Sequence, residues 1–282
     1  MNNVRKTKKS RPMVSVVMSA YNSERFIGEA IQSILNQTWK DFELIILDDC
    51  SRDDTPKIIS EYTKVDRRIK SFSNKVNLGG CLSLDRGMKA AKGKYIAVMD
   101  NDDWSYPDRL KKQVDFLEKH PGVGIVGGTM EIMDENGIIS AKRQYHRNDT
   151  SIRKNIFRYS PFSHPLIMVR RSVLETVGYS NCEFAPADDY EMYFRIGTVS
   201  KFANLKDTIL KYRVVSNSLT QRYPRKMILT SIKARNTYRK VAGYHMRLSD
   251  YVFNLLLRIC AFILPSKIIL KIFNFVRNIK VS

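Results

Sequence analysis

Neither apolar stretch near the end of this chain, Tyr251 to Leu264 or Ile268 to Val276, offers the roughly 20 uninterrupted apolar residues that a bilayer-crossing helix needs. Arg258, Pro265-Ser266-Lys267, Lys271 and Arg277 interrupt them. Cysteine is scarce: Cys50, Cys81, Cys182 and Cys260 stand far apart without a paired pattern, and the four histidines show no ligand spacing. A disulfide framework and a zinc site are therefore both expected to be absent. The leading residues are basic but have no apolar segment behind them, which argues against a secretory signal and makes the cytoplasm the expected location. No Walker or dinucleotide fingerprint is present. Acid is in short supply, with 28 Asp and Glu against 48 Lys and Arg, a formal charge of +20 over 282 residues.

That charge invites a nucleic-acid reading, so its location matters. Residues 1–11 hold five Lys/Arg and no acid, and residues 222–282 hold thirteen Lys/Arg with Asp250 the lone acid. Residues 12–221 are close to balanced, at 30 basic and 27 acidic groups. The excess belongs to the two ends, and the near-neutral centre speaks against a nucleic-acid-binding protein. Three regions follow: a basic leader (1–11), a central domain (12–221) long enough to bury a sizeable core, and a basic C-terminal region (222–282).

The centre alternates short apolar runs with polar loops and amphipathic helices, the pattern of a mainly parallel sheet with crossover helices. Val14 to Met18 and Glu43 to Leu47 read as strands. Ser23 opens a helix with Phe26, Ile27, Ala30, Ile31, Ile34 and Leu35 on one face, and a second helix spans about Pro56 to Lys64. Asn77-Leu78-Gly79-Gly80 reads as a turn, or as a place where backbone approaches a phosphate. A helix over about Leu82 to Ala91 follows. Leu110, Val114 and Leu117 form one face of another helix, Val123 to Met130 a further strand, and Asp134-Glu135-Asn136-Gly137 a hairpin turn. Beyond these, Asp149 to Tyr159 reads as a helix and Leu166 to Val169 as a strand. Ser172 to Glu175 has capping-box spacing, with Gly178 a helix stop.

Two acidic clusters stand out. Tyr95 to Met99 reads as a buried strand that empties into Asp100-Asn101-Asp102-Asp103. Carboxylates packed this closely raise one another's pKa unless a cation sits among them, and a hard divalent metal that also takes phosphate oxygens is the simplest partner. A solvated turn capping the next helix would look the same in sequence. The second cluster, Asp188-Asp189, opens an amphipathic helix, where acids satisfy orphan N–H groups with or without a further task. In open parallel sheets, ligands lie at the carboxyl ends of strands, so Asn22, Asp48/Asp49 and Asp100 to Asp103 are expected to converge. The Leu/Ile/Phe-rich C-terminal helices, flanked by Lys and Arg, suit either an anionic membrane surface or packing on the core or a second subunit.

From Val14 to about Ser218 the chain resembles family-2 glycosyltransferases of the GT-A fold. The residues that carry the resemblance are Val14 to Asn22, Gln37-Thr38, Asp48 to Thr55, Asn77-Leu78-Gly79 and Ala91 to Ile96. Asp100-Asn101-Asp102-Asp103 with Pro107 to Leu110, and Asp188-Asp189-Tyr190, complete them. The resemblance implies a Rossmann-like α/β sheet flanked by helices with a C-terminal helical extension. It implies a nucleotide-sugar donor, by family frequency a uridine diphosphate sugar, with Ala20, Tyr21, Asn22 and Glu24 lining the nucleotide pocket and Asp49 bonding the base. Asp100 and Asp102 stand at the DxD positions, Asp102 the better ligand for Mn²⁺ or Mg²⁺. Asp189 matches the catalytic base of an inverting hexosyl- or N-acetylhexosaminyltransferase. Beside it, Asp188 replaces the Glu common in relatives, and Asp85 replaces an Asn. His164 falls where relatives place an acceptor-side or phosphate-side residue. The expected acceptor is a glycan or lipid-linked sugar of surface polysaccharide assembly, met at the inner face of the cell membrane. A metal-dependent nucleotidyltransferase is the competing enzyme reading, weakened because Ser19 to Ser23 lacks a Gly-rich basic loop.

Overall fold

The computed structural model describes residues 11–215, 222–266 and 268–269. Nearly all of the basic leader, the region around Ser218 and most of Ile268 to Val276 lie outside them. Nine strands form one sheet, ordered β3-β2-β1-β4-β8-β6-β9-β5, with β7 pairing β6. The first half runs β1 (Val14–Ala20), α1 (Ile27–Leu35), β2 (Phe42–Asp48), α2 (Thr55–Val65), β3 (Ile69–Ser73), α3 (Gly80–Ala90) and β4 (Tyr95–Val98). Within it β3, β2, β1 and β4 are mutually parallel. The run continues through β5 (Trp104–Ser105), α4 (Arg109–Lys119), β6 (Val123–Met133), β7 (Ile139–Arg143), α5 (Asp149–Asn155), β8 (Met168–Arg170) and α6 (Arg171–Val177). It ends with α7 (Asp188–Val199), β9 (Lys201–Arg213), α8 (Pro224–Tyr238) and α9 (Leu248–Ile263). Beyond β4 the sheet is mixed: β8 runs antiparallel to both β4 and β6, β9 parallel to β6, and β5 antiparallel to β9. The direction therefore switches at β4, and its carboxyl end opens where the two halves meet.

Strands buried on both faces read as continuous apolar runs, and β1, β2 and β4 do so because helices cover both sides. One face packs against α1, α2 and α4 through Ile27, Ile31, Ile59, Leu110 and Leu117. The other packs against α3, α6 and α7 through Met88, Leu174, Tyr193 and Phe194. The C-terminal region is not separate from this second core. Ala234 of α8 is fully buried in it, and Tyr238 stacks on Phe194 of α7 at 5.1 Å between ring centroids.

Several sequence expectations need correction. Cys81 and Cys182 form a disulfide across 101 residues, with Cα atoms 5.8 Å apart. Linear spacing carried no sign of it, because only the fold brings the start of α3 to the turn before α7. Ser172 and Glu175 form no capping box: Ser172 lies inside α6, whose cap Arg170 makes no side-chain cap bond, and Glu175 pairs with Arg171. The helix at Asp149 ends at Asn155, short of Tyr159. Strands β3, β5 and β9 had no apolar-run signature. β3 is an edge strand exposed at four of its five residues, and β9 breaks its apolar pairs Phe202-Ala203 and Ile209-Leu210 with polar and charged residues. The hairpin at Asp134 to Gly137 is present, with Gly137 at φ +83° and its N–H donated to the Asp134 carbonyl.

Gln37 shows how the site-bearing loop is held. It is fully buried, and its amide nitrogen donates to the carbonyls of Ser33 (3.2 Å) and Tyr106 (2.7 Å) and to the Ser105 hydroxyl (3.2 Å). Its amide oxygen accepts from the Leu110 N–H at 3.0 Å. One side chain thereby ties the end of α1 to the segment joining the carboxylate cluster to α4. Gln37→Leu should lower unfolding free energy by about 2 kcal/mol or more in urea denaturation, since it strands at least one buried donor and one acceptor. A change within about 0.5 kcal/mol would show the segment to be held by other contacts.

Candidate active site

The parallel strands deliver their carboxyl ends to one edge. Asn22, just past β1, sits at φ +48°. There its N–H donates to the Ser51 hydroxyl (3.0 Å) and its side-chain oxygen accepts from the Arg52 N–H (2.9 Å). The Asp49 N–H donates to the Ala20 carbonyl at 2.8 Å. The Asp49 carboxylate, 2% exposed, accepts from the Asn74 side chain (2.6 Å) and from the backbone N–H groups of Leu78 and Gly79 (both 2.8 Å). Burial alone would raise its pKa, but these hydrogen bonds outweigh it and hold the carboxyl below its ordinary value. Asp49 thus shapes the Asn77 to Gly79 turn, and Gly79 at φ +85° supplies a conformation that a side chain would strain.

At the end of β4 the carboxylate oxygens of Asp100, Asp102 and Asp103 lie within 4.8 Å of one another. Burial, then the Asp102 and Asp189 charges, raise Asp100 to about 7, and burial raises Asp102 to about 6. Asp103 is fully buried and pushed well above the carboxylate range by burial and by its two neighbours. One of its oxygens accepts from the Arg213 N–H at 2.8 Å, and the other has no hydrogen-bond partner.

Two arginines brace the cluster and offset part of its charge. Arg109, fully buried, donates to the Val98 carbonyl (2.7 Å) and to the Gln113 side chain (3.2 Å). Arg213 donates from Nε to the Asp102 carbonyl (2.8 Å) and from Nη2 to Glu29 (2.7 Å). An all-oxygen donor set, crowded, desolvated and with one buried oxygen unpartnered, fits a hard divalent cation. The family resemblance names Asp100 and Asp102 as the ligands, whereas the acidic cluster in the sequence includes all three acids. Asp103 was visible as the third acid of the cluster, whereas Arg213 gave no local signal because 110 residues separate it from Asp103.

Facing this cluster, Asp188 and Asp189 occupy the first turn of α7, where the helix dipole favours negative charge. Burial and the adjacent Asp189 raise Asp188 to about 6, opposed by His164. His164 is held below its ordinary pKa by burial, and its Nε2 has no hydrogen-bond partner. Tyr193, one turn further along α7, holds its hydroxyl buried and unpartnered as well.

One cavity of about 1440 Å³ joins these parts. Ala20, Tyr21, Asn22, Asp49, Asp100, Asp102, His164, Asp188 and Asp189 all line it. Glu24 does not: its carboxylate accepts from the Asp54 N–H at 2.8 Å, and its own N–H donates to Asp53. Asp85 does not line it either, being paired with Lys89 and accepting from the Ser180 N–H.

The family model for Glycosyl transferase family 2 matches residues 15–178. The putative glycosyltransferase EpsE of Bacillus subtilis is 36% identical over 248 residues, 86% of this chain and 87% of that protein. The O-antigen biosynthesis glycosyltransferase WbnJ of Escherichia coli is 33% identical over 244 residues, covering 83% and 88%. Among solved structures, S. aureus TarS 1–349 in complex with UDP-GlcNAc superposes with a TM-score of 0.63 at 18% identity, over 88% of this chain and 81% of that one. Mannosyltransferase PcManGT from Pyrobaculum calidifontis, in complex with GDP-Man and Mn²⁺, gives 0.61 at 17% identity, over 95% and 81%. At such identities the structural likeness is one of fold, and that fold is GT-A.

Mn²⁺ at a hundredfold excess over its Kd should stabilise the protein by about 2.7 kcal/mol, a thermal-shift increase of about 2–4 °C per kcal/mol. Asp102→Asn should remove that increase while leaving the metal-free melting temperature near wild type. An undiminished shift in the variant would place the cation elsewhere.

Proposed function

This chain belongs to glycosyl transferase family 2, and on that footing we propose that it moves a sugar from a uridine diphosphate donor to a glycan or lipid-linked acceptor of surface polysaccharide, with inversion. The observation that carries the reading is the meeting of two acidic clusters of unlike surroundings on one cavity, Asp100/Asp102/Asp103 at the end of β4 and Asp188/Asp189 at the start of α7. The WbnJ description supports the polysaccharide context, and the UDP-GlcNAc and Mn²⁺ complexes of the two structural neighbours support the donor and the metal.

In this reading Ala20, Tyr21 and Asn22 hold the nucleotide, and Asp49 orders the Asn77 to Gly79 turn beside it. Asp100 and Asp102, with Asp103 behind them, hold Mn²⁺ or Mg²⁺. The bound metal neutralises charge on the departing nucleoside diphosphate. Asp189 accepts the proton of the acceptor hydroxyl as its oxygen attacks the anomeric carbon. The new C–O bond forms opposite the breaking bond to phosphate, whose electron pair leaves with the diphosphate. A single displacement inverts configuration. Asp188 shares the negative field at the helix start, with the buried His164 imidazole beside it.

The proposal extends to location: peripheral, at the cytoplasmic face of the membrane. No helix among the described residues is long and apolar enough to cross a bilayer. Yet α9 presents an outer stripe of Leu248, Val252, Leu255, Ile259, Phe262 and Ile263 at helical spacing, with Leu248 80% and Ile263 73% exposed. Such a face beside a basic chain end suits an anionic lipid surface.

Asp189→Asn should lower transfer by about 10²- to 10⁴-fold with UDP affinity unchanged; a matching loss of UDP binding would make Asp189 structural. Leu255→Asp combined with Phe262→Asp should abolish cosedimentation with phosphatidylglycerol vesicles. Those substitutions spare the buried face of α9, and undiminished sedimentation would contradict the peripheral location.

A further inference from the structure

The active-site cavity does not stop at Asp189. It continues past Tyr190 between α8 and α9, and the chemistry of its wall changes on the way. Arg235 of α8 comes first, 5% exposed. Its Nε donates to the Tyr190 hydroxyl (2.9 Å), Nη1 to the Asn254 side chain (2.7 Å) and Nη2 to the Arg158 carbonyl (2.8 Å). All three of these acceptors are neutral. Asp250 on the adjacent helix is engaged by Arg158 and Arg247, and Glu191 by Arg195. A buried guanidinium met only by neutral groups is costly until an anion joins it. Beyond Arg235 the wall becomes apolar, built from Met227, Phe253, Leu257, Leu264 and Ile269. Phe253, Leu257 and Leu264 stay half-exposed toward this space while the opposite face of α9 carries the outer apolar stripe. The helix is thus apolar on its cavity side and on its outer side, which packing among the described residues does not explain.

We propose that the α8–α9 end of the cavity is a subsite for an acceptor built as a sugar on a lipid phosphate, the phosphate held by Arg235 and the hydrocarbon chain laid along Phe253, Leu257 and Leu264. The assignment rests on the transferase reading above and gives its acceptor a chemical class. The order of groups along the cavity matches the order in such a molecule. Asp189 takes the sugar hydroxyl. Arg235, bonded to the side chain of the very next residue, takes the anion. The apolar wall takes the tail and leads it toward the membrane-facing stripe of α9.

The test is calorimetric titration of the full chain with dodecyl phosphate below its micelle concentration, with UDP and Mn²⁺ present so that the donor site is filled. Inorganic phosphate and dodecyl maltoside serve as the headgroup-only and neutral-headgroup probes. Dodecyl phosphate should bind about tenfold or more tighter than either, and both Arg235→Gln and Leu257→Asp should erase that advantage. Because Arg235 is buried and its variant can fail to fold, Leu257→Asp, on the half-exposed wall, keeps the test decisive. Equal binding of dodecyl phosphate and dodecyl maltoside, or wild-type affinity in Leu257→Asp, overturns the subsite. UDP binding is read in a separate titration without lipid. Its absence overturns the transferase reading and the acceptor role with it, whereas UDP binding without discrimination among the three probes overturns the subsite alone.

Discussion

Three carboxylates gathered within 4.8 Å of one another, Asp103 fully buried and Asp100 and Asp102 half-buried on the cavity wall, are the constraint on which the rest of this molecule depends. Mutual repulsion and lost hydration both oppose the arrangement, and it persists because the surrounding fold over-determines it. β4 is pinned between β1 and β8, and Arg109 anchors the strand end from beneath through the Val98 carbonyl. Arg213 ties the cluster to α1 from above. Neither arginine forms an ion pair with an acid of the cluster. They therefore offset only part of the cluster's charge.

The second acidic cluster depends on a different support. α7 is the element on which the sheet, the disulfide-linked turn and the C-terminal helices all converge. Its Glu191 is fixed by Arg195 and by the Tyr238 hydroxyl of α8, and Tyr190 by Arg235. The helix that aims Asp188 and Asp189 into the cavity is thus held by residues more than forty positions further along the chain. α8 is thereby part of the same core as α7, whereas α9 keeps an apolar face outside it.

The Cys81–Cys182 bridge joins the two sides of the cavity covalently, from the residue after Gly80 to the turn six residues before Asp188. Its counterpart in non-covalent terms is the Asp49 network, which fixes the turn just before Cys81. Together they give the β1–β2 side and the α7 side of the cavity a common reference point.

Much of this was legible in the chain. Apolar runs such as Val14 to Met18 and Tyr95 to Met99 determined β1, β2 and β4, because a strand covered on both faces has no polar residues to disguise it. Helical spacing determined α1 and α4, and the order of the acidic clusters after those strands determined the family and the two ends of the site. What only the tertiary structure decided was everything built from contacts distant in sequence: the disulfide, the long strand β9, the brace at Arg213, and the continuation of the cavity past Arg235. Local pattern reports how a residue meets its neighbours in the chain. The cost of a buried charge, and the group that meets that cost, are set by which distant segments the fold brings alongside.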